Sequence, residues 1–188
     1  MGCITVVHSQ SMMPSVMRGD FLFADKRVNC PGCKYKIKHG DVVLLVYPND
    51  RTLIYIKRVI GLPGDIVELR GTEVWLNGVL IRANEIKDFG NETLNALLES
   101  HIAYSEKSES GTYPVLWKKD AARDEMTIRV PNGQVLVLGD NRDATHDSRI
   151  FGTVPLTDVI GKAQQIWFSW ENGVRWERLG KSLDVNSE

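Results

Sequence analysis

"TLIYIKRVI", residues 52–60, alternates with a period of two. In a strand this places Leu53, Tyr55, Lys57 and Val59 on one face and Ile54, Ile56, Arg58 and Ile60 on the other. The same kind of short run, bounded by Gly, Pro, Asn and Asp, recurs along the chain. "DVVLLVY" (41–47), "DIVELR" (65–70), "EVWLNGVLI" (73–81), "MTIRV" (126–130) and "QVLVLGD" (134–140) all read as strands. Asn77-Gly78 between apolar runs predicts a tight hairpin. "QQIWFSW" and "GVRWERL" predict another, turning at Asn172-Gly173. One helix is expected, over "NETLNALLES" (91–100), from its polar start and the apolar positions 94, 97 and 98.

The strand rhythm weakens between 82 and 125, where "KDFGNE" and "SEKSESGTYP" are polar. The reading is therefore a mostly β protein: an antiparallel sheet or barrel core over 1–81 and 126–188, with a smaller α+β lobe inserted at 82–125. The 188 residues suit one substantial domain or a core with an inserted lobe. The 23 basic and 24 acidic residues leave a net charge of -1, which gives no field that favours nucleic acid. No apolar run reaches the roughly 18 residues that a membrane span needs.

"HSQSMMPSVMRGD", residues 8–20, is the first candidate for chemistry, because it holds Ser9 and Ser11. Gly19 and Asp20 in it read as a turn. A serine nucleophile needs a base. The histidines are His8, His39, His101 and His146, and the G-x-S-x-G elbow of the α/β-hydrolases does not occur. His8 stands three residues from Ser11, on the opposite face of an extended strand. Lys57 is the other option. It interrupts an apolar strand and reads either as a snorkelling lysine at an edge or as a desolvated amine able to act as a general base. Alternation alone leaves both readings open.

Three segments in order carry a resemblance: "SMMPSVMRGDFLFADK" (11–26), "YIKRVIGLPGD" (55–65) and "LGDNRDATHDSRIFGTVP" (138–155). Together they resemble the bacterial type I signal peptidases, β-rich enzymes with a Ser/Lys dyad at the outer face of the cytoplasmic membrane. The resemblance covers most of the chain and is weak at 82–125. It implies Ser11 as nucleophile, Lys57 as general base, and Ser9 with the Ser11 backbone N–H as the oxyanion hole. It also implies Thr145 as a hydroxyl that orients the lysine, and Asp147 with Arg149 as a supporting buried ion pair. Asp140, Asn141 and Arg142 belong to the same turn-rich segment. Val7, Met12, Val16, Leu44, Tyr55 and Ile56 would line two shallow apolar pockets, which exclude large side chains and so favour Ala-x-Ala cleavage sites.

The partners implied are exported preproteins carrying signal peptides and a lipid surface, with no nucleic acid, no cofactor and no metal. The lipid surface is expected to meet Met12, Met13, Trp167, Phe168 and Trp170. The location implied is the extracytoplasmic side of the bacterial membrane, with the family's transmembrane anchor absent by truncation. The chain departs from the family in carrying His8-Ser9-Gln10-Ser11 where Pro-Ser-Gly-Ser is usual. The alternatives are a specialised processing protease for conjugation or secretion, or a non-catalytic β-domain that binds exported peptides. The self-cleaving SOS-response repressors share the dyad, but their Ala-Gly cleavage site and DNA-binding domain are missing. Cys30 and Cys33 in "NCPGCKYK" stay open between a disulfide, half of a zinc site and free thiols.

Overall fold

The computed structural model describes residues 2–28, 36–123 and 125–183. Cys30 and Cys33 lie outside the described residues. The strands in chain order are β1 (Gly2–Val6), β2 (Asp20–Asp25), β3 (Val42–Val46), β4 (Ile54–Gly61), β5 (Ile66–Arg70), β6 (Glu73–Leu76), β7 (Val79–Leu80) and β8 (Arg82–Ile86). After the one-turn helix α1 (Glu92–Asn95) come β9 (His101–Ser108), β10 (Gly111–Lys118), β11 (Met126–Arg129) and β12 (Gln134–Leu138). Helix α2 (Ser148–Phe151), β13 (Val154–Pro155) and β14 (Val159–Ser169) complete the described elements apart from short 3-10 turns.

The main sheet has the order β1-β2-β14-β3-β4-β12-β13, and its paired strands run antiparallel. A second sheet, β11-β5-β6-β7, and a third, β10-β9-β8, pack beside it. The mostly antiparallel β class expected from the alternation is what forms. β3 is buried on both faces, so its period of two feeds two clusters. Val42 and Leu44 join Met12, Val16 and Leu22, while Val43 and Leu45 join Val59, Val135 and Val137. A third cluster sets Val67, Leu69 and Val74 of the second sheet against Tyr113, Val115 and Trp117 of the third.

The Asn77-Gly78 turn has both residues at positive φ, 51° and 80°, as a tight primed hairpin requires. The expected helix is short: one α turn capped by Asn91, then a 3-10 turn over Ala96–Glu99. The polar stretch 101–118, where the strand rhythm weakens, forms two eight-residue strands, β9 and β10. One reading needs correction. "GVRWERL" pairs only through a Trp170–Val174 bridge and then turns into a 3-10 segment at Trp176–Arg178. Ionic anchoring displaces strand pairing there, because Arg178 and Arg175 both reach the buried Asp20 carboxylate, at 2.5 and 3.3 Å.

Arg58 and Asp140 are tied bidentately at 2.8 and 2.6 Å in the interior, and the guanidinium also donates to the Gly40 carbonyl and the Ser15 hydroxyl. Removing one partner of such a pair strands the other charge. Asp140→Ala is therefore expected to cost about 3–5 kcal/mol and to lower the melting temperature by on the order of 10 °C. The paired change Arg58→Met with Asp140→Leu should cost clearly less. Thermal unfolding of the three proteins checks the order.

Candidate active site

Ser11 sits on the loop between β1 and β2, and that loop is held at both ends. Val7 N–H donates to the Asp20 carbonyl at 2.8 Å, and Gly19 N–H donates to the Val7 carbonyl at 2.9 Å. Gly19 has φ +83°, and a Cβ there would run into the Trp170 backbone, so this return requires glycine. Met12 and Val16 plug the loop into the first cluster. From the other side, Asn141 N–H donates to the Ser11 carbonyl at 3.0 Å. Gly139 passes so close that a Cβ would lie 2.5 Å from the Ser11 carbonyl oxygen and would also strike the Thr145 hydroxyl.

Lys57 enters from β4, between β3 and β12. Its Nζ is 3.0 Å from Ser11 Oγ and donates to the Ile56 carbonyl at 2.9 Å. Lysine and serine are only 4% and 7% exposed. Burial disfavours the ammonium form and lowers the pKa from 10.5 to about 8, although Asp147 and Asp140 pull it the other way. Neither carboxylate makes an ion pair with the amine. Asp140 is occupied by Arg58. Asp147 accepts from Arg149 Nε and Nη2 at 2.9 Å each, from Gly139 N–H at 3.0 Å and from Arg149 N–H at 3.2 Å. The arginine also donates to the Arg142 carbonyl.

Ser9 Oγ lies 3.1 Å from Ser11 Oγ and accepts weakly from Ser11 N–H at 3.4 Å. Thr145 comes to the same place, since the site that a Gly139 Cβ would take touches both it and Ser11. Its hydroxyl, however, is buried without a hydrogen-bond partner among the described residues, and no bond joins it to Lys57. Of the six residues named for shallow pockets, Val7, Tyr55 and Ile56 line an open groove of about 350 Å³ that reaches Ser11 and Lys57. Met12, Val16 and Leu44 do not line it; they are core residues packed with Val7 beneath it. The groove's apolar wall also includes Val6 and Ile54, which the alternation did not single out. Leu53, placed by alternation on the face of Tyr55 and Lys57, precedes β4 and is exposed.

Three supports were not read from the sequence as pairs: Arg58 with Asp140, Arg142 with Glu106, and Arg178 with Asp20. A charged residue inside an otherwise apolar strand was the available signal for Arg58. Among the described residues no cluster of His, Cys, Asp and Glu could hold a metal ion, and no helix is long and apolar enough to cross a membrane.

A serine-bearing loop, a buried amine and this antiparallel scaffold coincide with the extent of a known family. Residues 4–170 match the family described as signal peptidase, peptidase S26, and the chain belongs to it. A signal peptidase I of Buchnera aphidicola is 29% identical, over 93% of this chain and 74% of the relative. One of Rickettsia typhi is 35% identical, over 73% of this chain and 56% of the relative, so the chain spans little more than half of that protein. A solved signal peptidase I from Enterococcus faecalis V583 is 26% identical, over 68% of this chain and 97% of that one, with a TM-score of 0.47.

The depressed lysine has a consequence for stability. Below pH about 8 both folded and unfolded chains carry the ammonium, and the burial cost is constant. Between about 8 and 10.5 only the unfolded chain holds the proton, so stability rises with pH. Relative to Lys57→Met, the protein should gain about 3 kcal/mol across that window. Denaturant melts of both proteins at several pH values read this directly, and a flat difference would show that the amine is not desolvated.

Proposed function

We propose that this chain is a serine endopeptidase that removes signal peptides from exported preproteins by a Ser/Lys dyad. The observation that carries the reading is the 3.0 Å approach of a buried amine, unpaired with any carboxylate, to a serine hydroxyl lining an open groove. The neutral Lys57 amine takes the proton from Ser11 Oγ as that oxygen attacks the peptide carbonyl carbon. The oxyanion that forms meets the Ser11 N–H and the Ser9 hydroxyl, which turns from Ser11 Oγ toward it. Collapse of the tetrahedral species breaks the C–N bond, and Lys57 returns its proton to the leaving amine. Water then hydrolyses the ester, with Lys57 again the base. Thr145 is assigned to orient the amine once substrate enters, and Asp147 with Arg149 fixes the segment that carries it.

The apolar groove admits small side chains before the cut, in the Ala-x-Ala pattern. Its floor is packed core, so a larger residue has no room to displace Met12 or Leu44. Expected outcomes follow for an Ala-x-Ala precursor. Ser11→Ala and Lys57→Met should abolish cleavage in folded protein, and Lys57→Arg should also fail because guanidinium stays charged. Ser9→Ala should leave a rate lower by about a hundredfold or more. The acidic limb of the pH profile should fall near the lysine pKa of about 8. Substantial turnover by Lys57→Met would sink the dyad.

The substrate is membrane-borne, and we place the protein at the extracytoplasmic surface of the bacterial membrane. Met12 and Met13 are buried and do not meet lipid, contrary to the sequence reading. Trp167, Trp170 and Trp176 are 56%, 54% and 73% exposed, and Ile4 and Val6 are also exposed on β1. Exposed indoles of this kind suit an interface where one end of each ring is apolar and the other wet. Vesicle flotation should recover the protein with liposomes, and replacing the three tryptophans by serine should abolish recovery. Absence of the intact protein from the vesicle fraction would refute lipid association.

A further inference from the structure

His146 and His8 line the groove, yet the dyad chemistry uses neither. No Asp or Glu lines it among the described residues, and its third titratable nitrogen is the Lys57 amine. A peptide in this groove therefore meets only neutral or cationic side-chain groups. His146 differs from a histidine kept for packing, because it is exposed and neither ring nitrogen bonds to another described residue. Its ring is nevertheless held. Tyr47 and Tyr55 stack at 4.5 Å and 10°, the imidazole meets Tyr47 edge-on at 5.6 Å, and Phe151 lies 5.7 Å away. Tyr47 just after β3, Tyr55 of β4 and Phe151 of α2 thus hold the imidazole, which lines the groove.

We propose that His146 is a specificity-determining residue that reads an acidic side chain, Asp or Glu, of the bound peptide close to the scissile bond. The inference rests on the peptidase reading above. The aromatic seat lowers the entropy lost when the ring engages a carboxylate. A basic side chain in the same position finds no counter-charge in the groove lining. The titratable groups around the imidazole are Tyr47, Tyr55 and, beyond Tyr55, Lys57 and Asp50. Asp50 is engaged by Thr52, and the adjacent Asp147 by Arg149 and Gly139, so neither carboxylate replaces that of a substrate.

The test uses one parent peptide whose cleavage by this chain depends on Ser11. Gln, Glu or Lys is placed singly at each of the three positions on either side of the cut, and kcat/KM is compared at about pH 6.5 and about pH 8.5. Protonation of Lys57 affects every peptide equally and cancels in the ratios. At one position Glu should be preferred over Gln by roughly fivefold at about pH 6.5, equivalent to about 1 kcal/mol. His146→Gln should bring the ratio to about one at both. His146→Lys, with a permanent charge, should restore it at both, a rescue that a purely structural role would not show. A Glu preference unchanged by His146→Gln, no Glu preference at any position, or failure of the lysine rescue overturns the proposal. A parent peptide left uncut, or cut equally by Ser11→Ala, instead overturns the peptidase reading itself.

Discussion

An amine with no carboxylate partner, buried beside a hydroxyl, is the constraint that the rest of this molecule satisfies. Lysine in a protein interior normally recruits an acid or neutralises. Here two aspartates stand near enough to raise the Lys57 pKa, and each is claimed by an arginine instead. Alternation along β4 makes this possible. Lys57 and Arg58 are neighbours whose side chains leave opposite faces, so one strand delivers an amine to Ser11 and a guanidinium to Asp140. Exchanging the two would pair the lysine with Asp140 and leave the arginine, which cannot lose its proton, at the serine.

Ser11 is positioned with equal economy. Its loop is closed by backbone hydrogen bonds to Asp20 and Gly19 and by the Asn141 N–H, while Met12 and Val16 anchor it in the core. Three segments far apart in sequence therefore meet over a few ångströms, and Gly139 admits their approach by having no side chain. Local unfolding of any one of them would separate Ser11 from Lys57, so the fold's stability and the site's geometry rest on the same contacts.

Much of this was legible in the alternation. The period-two runs at 41–47, 52–60, 65–70 and 134–140 locate strands that form within a residue or two, and Asn77-Gly78 locates its hairpin. The strands of 101–118 were hidden for a physical reason. Glu106 points inward to meet Arg142, and Pro114 stands within β10, so the pattern reads as polar and broken. Ser11 and Lys57 emerge from the three-motif resemblance, whereas alternation alone could not choose between a base and a snorkelling lysine. Pocket-lining residues were partly missed because apolar residues beside a groove and those beneath it look alike in sequence; only packing separates Val7 from Leu44.

The segment with the weakest resemblance nonetheless supports the site. Leu116 N–H donates to the Asp140 carbonyl at 2.8 Å, and Arg142 N–H donates to the Leu116 carbonyl at 2.9 Å, so the third motif docks along β10 like an extra strand. Glu106 of β9 then holds the Arg142 side chain, whose Nε reaches back to the Gly139 carbonyl at 3.0 Å. The third sheet thus fixes the backbone that carries Asp140, Thr145 and Asp147. A sequence can drift in this region as long as it keeps one inward acid and a strand edge at that height. What the site requires from 101–118 is a hydrogen-bonding edge and a counter-charge, and neither leaves a long motif.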